Sequence, residues 1–226
     1  MELFHVLNRG VDGRDIYMDD RDRARCVHNL YEFNDTALAG STYYSFRNLG
    51  LVNPDLPKRV REKLVEIHGW VLMKNHYHLL LSELVEGGLS LFLRKLNTGY
   101  ANYFNARYER AGTLFAGRTK KILIEQQAHF LYILHYIHLN PLDYLTGFEN
   151  WRERDKGHVP SARKALEYLE TYRWSSYLDY AGKKNFPSLI TKDLFEDRPG
   201  GYALDLREYL RSVAELDQDF AQLWLE

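Results

Sequence analysis

The stretch that decides the fold is IHGWVLMKNHYHLLLSE, which runs from Ile67 to Glu83. Its two apolar, β-prone runs flank Lys74-Asn75, a polar pair typical of a turn. The stretch therefore predicts two strands joined by a tight turn. In the second strand, His76 and His78 point to the same face, because strand side chains alternate with a period of two.

Two histidines on one strand face are close enough to share an ion. Residues two apart along a strand lie about 6 to 7 Å from each other, and imidazole nitrogens are common metal ligands. The alternative is that His76 is a turn residue and that His78 is half-buried and hydrogen-bonded. A third ligand and a reactive group elsewhere in the chain would favour the metal site.

The length and composition limit the classes of protein to which this chain can belong. A chain of 226 residues, 45% of them hydrophobic, fits one domain with decorations or one domain with a small appendage. No run approaches the roughly 20 apolar residues that cross a bilayer, and the first residues lack the features of a signal peptide. We therefore expect a soluble, cytoplasmic protein without a membrane partner. The single cysteine, Cys26, excludes an internal disulfide and is expected to be a packing residue.

The charge is unevenly distributed along the chain. A net charge of −1 argues against a uniformly basic nucleic-acid binder. Residues 94–121, however, contain seven Lys or Arg and one acid, whereas residues 193–226 contain nine acids and three arginines. This asymmetry favours one face for a polyanion and an acidic tail elsewhere. The alternative is that both segments are ordinary solvated surfaces.

Periodicity gives a coarse order of elements. It predicts strands at 3–7 and 113–125 and helices at 21–33, 89–108 and 125–140, with a long irregular loop at 34–57. Within the strand at 113–125, Arg118 and Lys120 are expected to share one face and Lys121 to take the other. We expect a catalytic domain over residues 1–180 and an acidic helical extension over residues 181–226.

The helix at 125–140 carries a row of polar side chains. Tyr132, Tyr136 and Asn140 follow one another at intervals of four residues and therefore lie on one helix face. The row offers a phenol and an amide oxygen that can bind a metal ion. The alternative is that these tyrosines are core residues, as a helical tyrosine is by default in a chain with 17 of them.

Five sequence features in this order resemble the REP-associated tyrosine transposases, which are IS200-like members of the HUH endonuclease superfamily. They are an Asn-Arg-Gly turn after the first strand, VLMKNHYHLLL, GTLFAGR, HYIHLNP and WSSY. The resemblance covers roughly residues 3–180, and the His-x-His strand together with the Tyr-Ile-x-x-Asn-Pro helix is its most specific part. The sequence departs from the family at His135, where arginine is usual, and in the unexplained segment 34–66.

The resemblance implies a fold and a set of roles. The fold is α+β, a ferredoxin-like antiparallel sheet with helices packed on one face, and the C-terminal helical extension lies outside it. His76, His78 and Asn140 match the ligands of a divalent cation, Mg²⁺ or Mn²⁺, and Tyr136 matches the nucleophile. The implied partner is single-stranded, hairpin-forming DNA, and a monomer is preferred to a dimer.

These roles make chemical sense together. A bound cation would polarise the scissile phosphate, and Tyr136 would attack it to form a 5′-phosphotyrosine that stores the bond energy for rejoining. The basic residues Arg9, Arg118, Lys120 and Lys121 are candidates for DNA binding. Two other functions stay open: a DNA-binding protein of the same fold without turnover, and a phosphoesterase that uses metal-bound water with Tyr136 as a bystander.

Overall fold

The computed structural model describes residues 1–37, 61–148, 150–152, 159–196 and 201–212. Four strands and seven α-helices lie in these ranges, with short 3₁₀ turns at Val11–Gly13 and Asn140–Tyr144. In chain order they are β1 (Leu3–Arg9), α1 (Asp20–Glu32), β2 (Val65–Leu72), β3 (His76–Glu83), α2 (Gly88–Arg107), β4 (Lys120–Leu123), α3 (Gln127–Leu139), α4 (Ala162–Thr171), α5 (Tyr177–Tyr180), α6 (Asp193–Glu196) and α7 (Tyr202–Ser212).

The strands form one antiparallel sheet in the order β2-β3-β1-β4. This order, with one helix after β1 and one after β3, is the ferredoxin-like arrangement that the sequence predicted. The β2–β3 hairpin turns at Lys74-Asn75 as expected and is closed by the Met73 N–H, which donates to the carbonyl oxygen of His76 at 2.8 Å. The predicted α+β class with an antiparallel sheet is confirmed.

Helices cover both faces of this sheet. Tyr77, Leu79 and Leu81 of β3 point to the face that packs against α1 and α2. Leu80 points to the opposite face, which is covered by α3 and, beyond it, by α4 and α7. The one-face arrangement that the resemblance implied therefore describes α1 and α2 only. The run Leu79-Leu80-Leu81 is apolar on both faces, so both faces require cover.

A glycine allows α3 to lie directly on the sheet. The β2–β3 register shifts between Ile67 and Gly69, and a Cβ atom on Gly69 would lie only 2.7 Å from Cδ1 of Leu134 in α3. Since contacts this short do not occur between real side chains, glycine is what permits the close approach of the helix. The helix that carries Tyr136 is thereby held against the face of β3 that carries the two histidines.

Two sequence-based boundaries were wrong. β1 was expected to end at Leu7, but it continues to Arg9, because Asn8 and Arg9 extend the ladder opposite Tyr77 and His76. The strand expected at 113–125 is reduced to Lys120–Leu123. Before it, Gly117 adopts a left-handed conformation with a φ of 70°, which turns the chain out of an extended path.

The C-terminal helix α7 shares the core of the second face. Tyr202 OH lies 2.6 Å from Nδ1 of His138, and Asp205 lies 2.9 Å from Nε2 of His135. The boundary at residue 180 stays a prediction. Most of the predicted loop at 34–57 and the end of the acidic tail lie outside the described residues. None of the described helices is both long and apolar enough to cross a membrane.

Candidate functional site

Three imidazoles meet on the second face of the sheet. His76 and His78 lie side by side on β3, with ring centroids 5.0 Å apart and the rings nearly perpendicular. His5 of β1 stacks on His78, and its Nε2 lies 2.9 Å from Nδ1 of His78. β1 pairs with β3 so that Leu7 faces His78 and His5 faces Leu80. His5 and His78 are therefore diagonal neighbours on one face.

Burial keeps two of these rings, His5 and His78, neutral. It lowers the pKa of His5 to about 3, with a further contribution from His129. It also lowers the pKa of His78 well below the usual value, and the charges of His5, His76 and Arg152 add to this effect. Neutral imidazole is the form that binds metal ions. The bond to His5 uses Nδ1 of His78, so an ion would have to bind this ring through Nε2.

Tyr136 of α3 reaches the same cluster, and Asn140 follows directly after the end of this helix. The Tyr136 ring stands perpendicular to the His78 ring with centroids 5.6 Å apart, and it lies 5.9 Å from the His5 ring. Asn140, one turn further, donates from Nδ2 to the carbonyl oxygen of Tyr136 at 2.7 Å. Within the predicted row, Tyr136 is the residue whose ring lies against His78 of β3.

The sequence did not indicate Trp151 and Arg152, which cover the cluster. Arg152 donates from Nη2 to Oδ1 of Asn140 at 2.7 Å, and its guanidinium carbon lies 5.8 Å from the centre of the Tyr136 ring. It is paired with Asp143. Trp151 packs 5.9 Å from Tyr136. As a result, only 3% of Tyr136 is exposed.

Arg152 also interacts electrostatically with the residues of the site. Burial would lower its pKa, but the hydrogen bond and charge of Asp143 outweigh burial and raise the pKa above the usual value, and Tyr136 contributes in the same direction. The guanidinium is therefore a fixed positive charge at the amide oxygen of Asn140. No short-range sequence signal reveals this role, because Arg152 lies 12 residues after Asn140 and beyond the end of the helix.

The remaining histidines are held by other partners. His138 lies 2.7 Å from the Ser176 hydroxyl as well as bonding Tyr202, and His68 bonds Ser82 at 2.8 Å. Within the described ranges, no group of three or more His, Cys, Asp or Glu side chains is placed to hold a metal ion. The predicted set of His76, His78 and Asn140 differs from such groups because its third member is an amide.

The four predicted DNA-binding residues fall on two faces. In the register of the sheet, Arg9 lies opposite His76 and Lys120 lies opposite Leu7. Both side chains therefore belong to the face of the imidazoles. Lys121 pairs with Val6 and belongs to the opposite face, where it lines a groove together with Arg118. The expectation that Arg118 and Lys120 share a strand face was wrong, because Arg118 precedes β4.

Comparison with known proteins adds a structural likeness. The sequence matches no protein-family model and no curated protein. A solved structure described as "Structure of the REP associates tyrosine transposase bound to a REP hairpin" is similar to this chain, with a TM-score of 0.43 and 12% sequence identity. The similarity covers 89% of this chain and 90% of that one. A similarity of this size says nothing about the reaction or the ligands of this chain.

Proposed function

We propose that this protein cleaves and rejoins single-stranded DNA beside a hairpin, with Tyr136 as the nucleophile. In this proposal His76, His78 and Asn140 hold a divalent cation, Mg²⁺ or Mn²⁺. The observation that carries it is the convergence of β3 and α3, which leaves the Tyr136 and His78 rings 5.6 Å apart. Two segments that are distant in sequence thus bring a phenol and imidazoles into one cluster, which supports the proposal.

The donor set is compatible with such a cation. Imidazole nitrogens bind transition-metal ions and an amide oxygen suits Mn²⁺ or Mg²⁺, and three protein ligands leave further positions for phosphate oxygens. The amide oxygen of Asn140 already accepts from a positive group, the Arg152 guanidinium. The bound cation would supply Lewis-acid polarisation of the scissile phosphate.

The chain's own residues perform the bond changes. The Tyr136 oxygen attacks phosphorus, its proton leaves to solvent, and the bond from phosphorus to the 3′ oxygen breaks. The products are a 5′-phosphotyrosine ester and a strand with a free 3′ hydroxyl, which takes up one proton. Rejoining reverses these changes when a 3′ hydroxyl attacks the ester, so no nucleotide cofactor is consumed.

His5 and two basic residues would support this reaction. His5 fixes the orientation of His78 by its hydrogen bond, as outer-shell partners of metal-binding histidines commonly do. Arg9 and Lys120 lie on the same face of the sheet as the histidines. Their charges would hold the phosphates that flank the cleaved bond.

One observation favours the alternative, a DNA-binding protein of the same fold without turnover. Tyr136 is 3% exposed, and the oxygen of Asn140 is hydrogen-bonded to Arg152. Cleavage therefore requires Trp151 and Arg152 to move away from the phenol when DNA binds. A protein that only binds DNA would keep this arrangement.

Incubation of an end-labelled hairpin oligonucleotide with Mn²⁺, followed by a denaturing gel, tests the proposal. We expect a covalent protein–DNA band that is absent in Tyr136→Phe and retained in Tyr132→Phe, the neighbouring tyrosine on the same helix row. Cleavage without that band would indicate a phosphoesterase that uses water. Tight binding with neither band nor cleavage would indicate the DNA-binding protein.

A further inference from the structure

A groove of about 560 Å³ lies on the face of the sheet opposite to the imidazoles. One wall is α2, which contributes Leu93, Asn97 and Ala101, and the other is the segment 113–119 that leads into β4. Its size is within the range of about 300–1,000 Å³ that is usual for ligand clefts. The cleavage proposed above uses none of the residues that line this groove.

The floor of the groove is a fixed network of amides and hydroxyls. Asn8 and Asn97 both donate from Nδ2 to Oγ1 of Thr119, at 3.1 and 2.8 Å. Asn97 is anchored from below by the buried Tyr77, whose hydroxyl donates to Oδ1 at 2.7 Å. Each carboxamide carries two N–H donors, so the network presents oriented donors, which suit the acceptor atoms of a base edge.

The rim is basic and the wall is partly aromatic. Arg94, Arg118 and Lys121 are exposed and line the groove, where they can meet phosphates. Phe115 is half-buried in the wall and is held edge-on against Tyr77 with ring centroids 6.1 Å apart. A fixed, partly exposed ring is a platform on which an unpaired base can stack.

The position of the groove connects it to the site. β4 is the edge strand of the sheet, and its consecutive residues Lys120 and Lys121 point to opposite faces. Two strand spacings, about 10 Å, separate β4 from β3. A single strand of DNA that is held by Lys120 at this edge can therefore continue around it to Lys121, with one cation on each side of the edge.

We propose that the groove binds an unpaired nucleotide of the same single-stranded DNA whose phosphate is cleaved on the other face. The rim cations hold its phosphate, Phe115 stacks on its base, and the Asn8–Thr119–Asn97 network contacts the base edge. This inference rests on the proposed function for the identity of the strand, but the groove itself is independent of the tyrosine and of any cation.

The test is binding of a fluorescently labelled single-stranded DNA by the full chain in the presence of EDTA, so that cleavage does not contribute. The groove variant is Arg94→Gln/Arg118→Gln/Lys121→Gln. The matched control, Arg21→Gln/Lys63→Gln/Lys164→Gln, removes three exposed charges from elsewhere on the molecule. We expect a loss of affinity of about tenfold or more for the groove variant only, with a flatter dependence on salt.

A second experiment locates the unpaired base that is proposed to lie in the groove. We expect an oligonucleotide with 5-iodouracil at successive positions to crosslink, at one position, to the peptide that contains Phe115. Phe115→Leu should weaken DNA binding about fivefold while circular dichroism shows an unchanged fold. Equal affinities of the groove and control variants, crosslinks confined to the imidazole face, or binding of RNA but not DNA would each overturn the inference. A missing covalent band with intact groove binding would instead contradict the proposed cleavage alone.

Discussion

The two faces of the sheet are built from alternate residues of the same strands and are both packed under helices, yet the polar clusters that they carry differ. The cluster of His5, His78 and Tyr136 is buried, and burial keeps His5 and His78 neutral. The opposite face carries exposed cations and a network of amides around a groove. Metal binding and nucleophilic attack need neutral ligands in a dry site, whereas capture of a polyanion needs charges in water. One short sheet can therefore separate chemistry from binding.

The contrast between the two faces would be weakened most if His5 were only a packing residue with no role in cleavage. His5→Phe removes the hydrogen bond to Nδ1 of His78 and leaves a ring of similar shape. We expect cleavage of hairpin DNA in Mn²⁺ to fall about 10- to 100-fold, while DNA binding in EDTA is unchanged because the groove is untouched. His28→Phe, at an exposed position on α1, is the control and should change neither. Full activity in His5→Phe would remove its role as a positioning residue.

Arg152 sharpens the comparison because it brings a positive charge to the amide oxygen of Asn140, beside the buried phenol. A cation at the Asn140 oxygen would be repelled by the guanidinium that already donates to it. We therefore expect Arg152→Met to bind Mn²⁺ roughly tenfold more tightly, measured from the spectrum of free Mn²⁺ by electron paramagnetic resonance. Arg163→Met removes an exposed arginine of α4 and should leave the affinity unchanged. Weaker binding in Arg152→Met would contradict competition between the two cations.

The smallest effect concerns stability against pH. The pKa values of His5 and His129 are lowered to about 3 and 4, so both stay neutral in the folded protein at pH values where the unfolded chain takes up protons. The free energy of unfolding should therefore fall as pH decreases from 6.5 to 4.5, by up to about 1.4 kcal/mol per pH unit for each such histidine.

Urea titrations at pH 6.5, 5.5 and 4.5 measure this slope. The wild type should lose stability over this range, and His5→Phe should lose less of it, since one titrating group has been removed. A wild type whose stability does not change with pH would mean that the imidazole face is not as buried as described.

Local periodicity predicted much of the fold and part of the cluster. The hairpin around Lys74-Asn75, the common face of His76 and His78, and the row from Tyr132 to Asn140 follow from repeats of two and four residues. These are properties of one strand or one helix, so a single stretch of sequence contains them. The buried position of Cys26 follows in the same way from the periodicity of α1.

Features that depend on pairing between distant segments were not predictable. His5 enters the cluster through the register of β1 on β3, and Arg152 through the path of the chain after α3. The sequence analysis placed Arg118 on the wrong face, because Gly117 adopts a left-handed conformation and β4 begins only at Lys120. Helices on both faces of the sheet follow from the apolar run in β3, but the sequence does not state which helix covers which face.

The most direct test of the central claim is to identify the residue that becomes linked to DNA. The wild-type protein is incubated with a hairpin oligonucleotide and Mn²⁺, digested with trypsin and nuclease, and examined by mass spectrometry. The account predicts a nucleotide phosphate on Tyr136 and none on Tyr132. A phosphate on any other residue, or cleaved DNA with unmodified Tyr136, would contradict it.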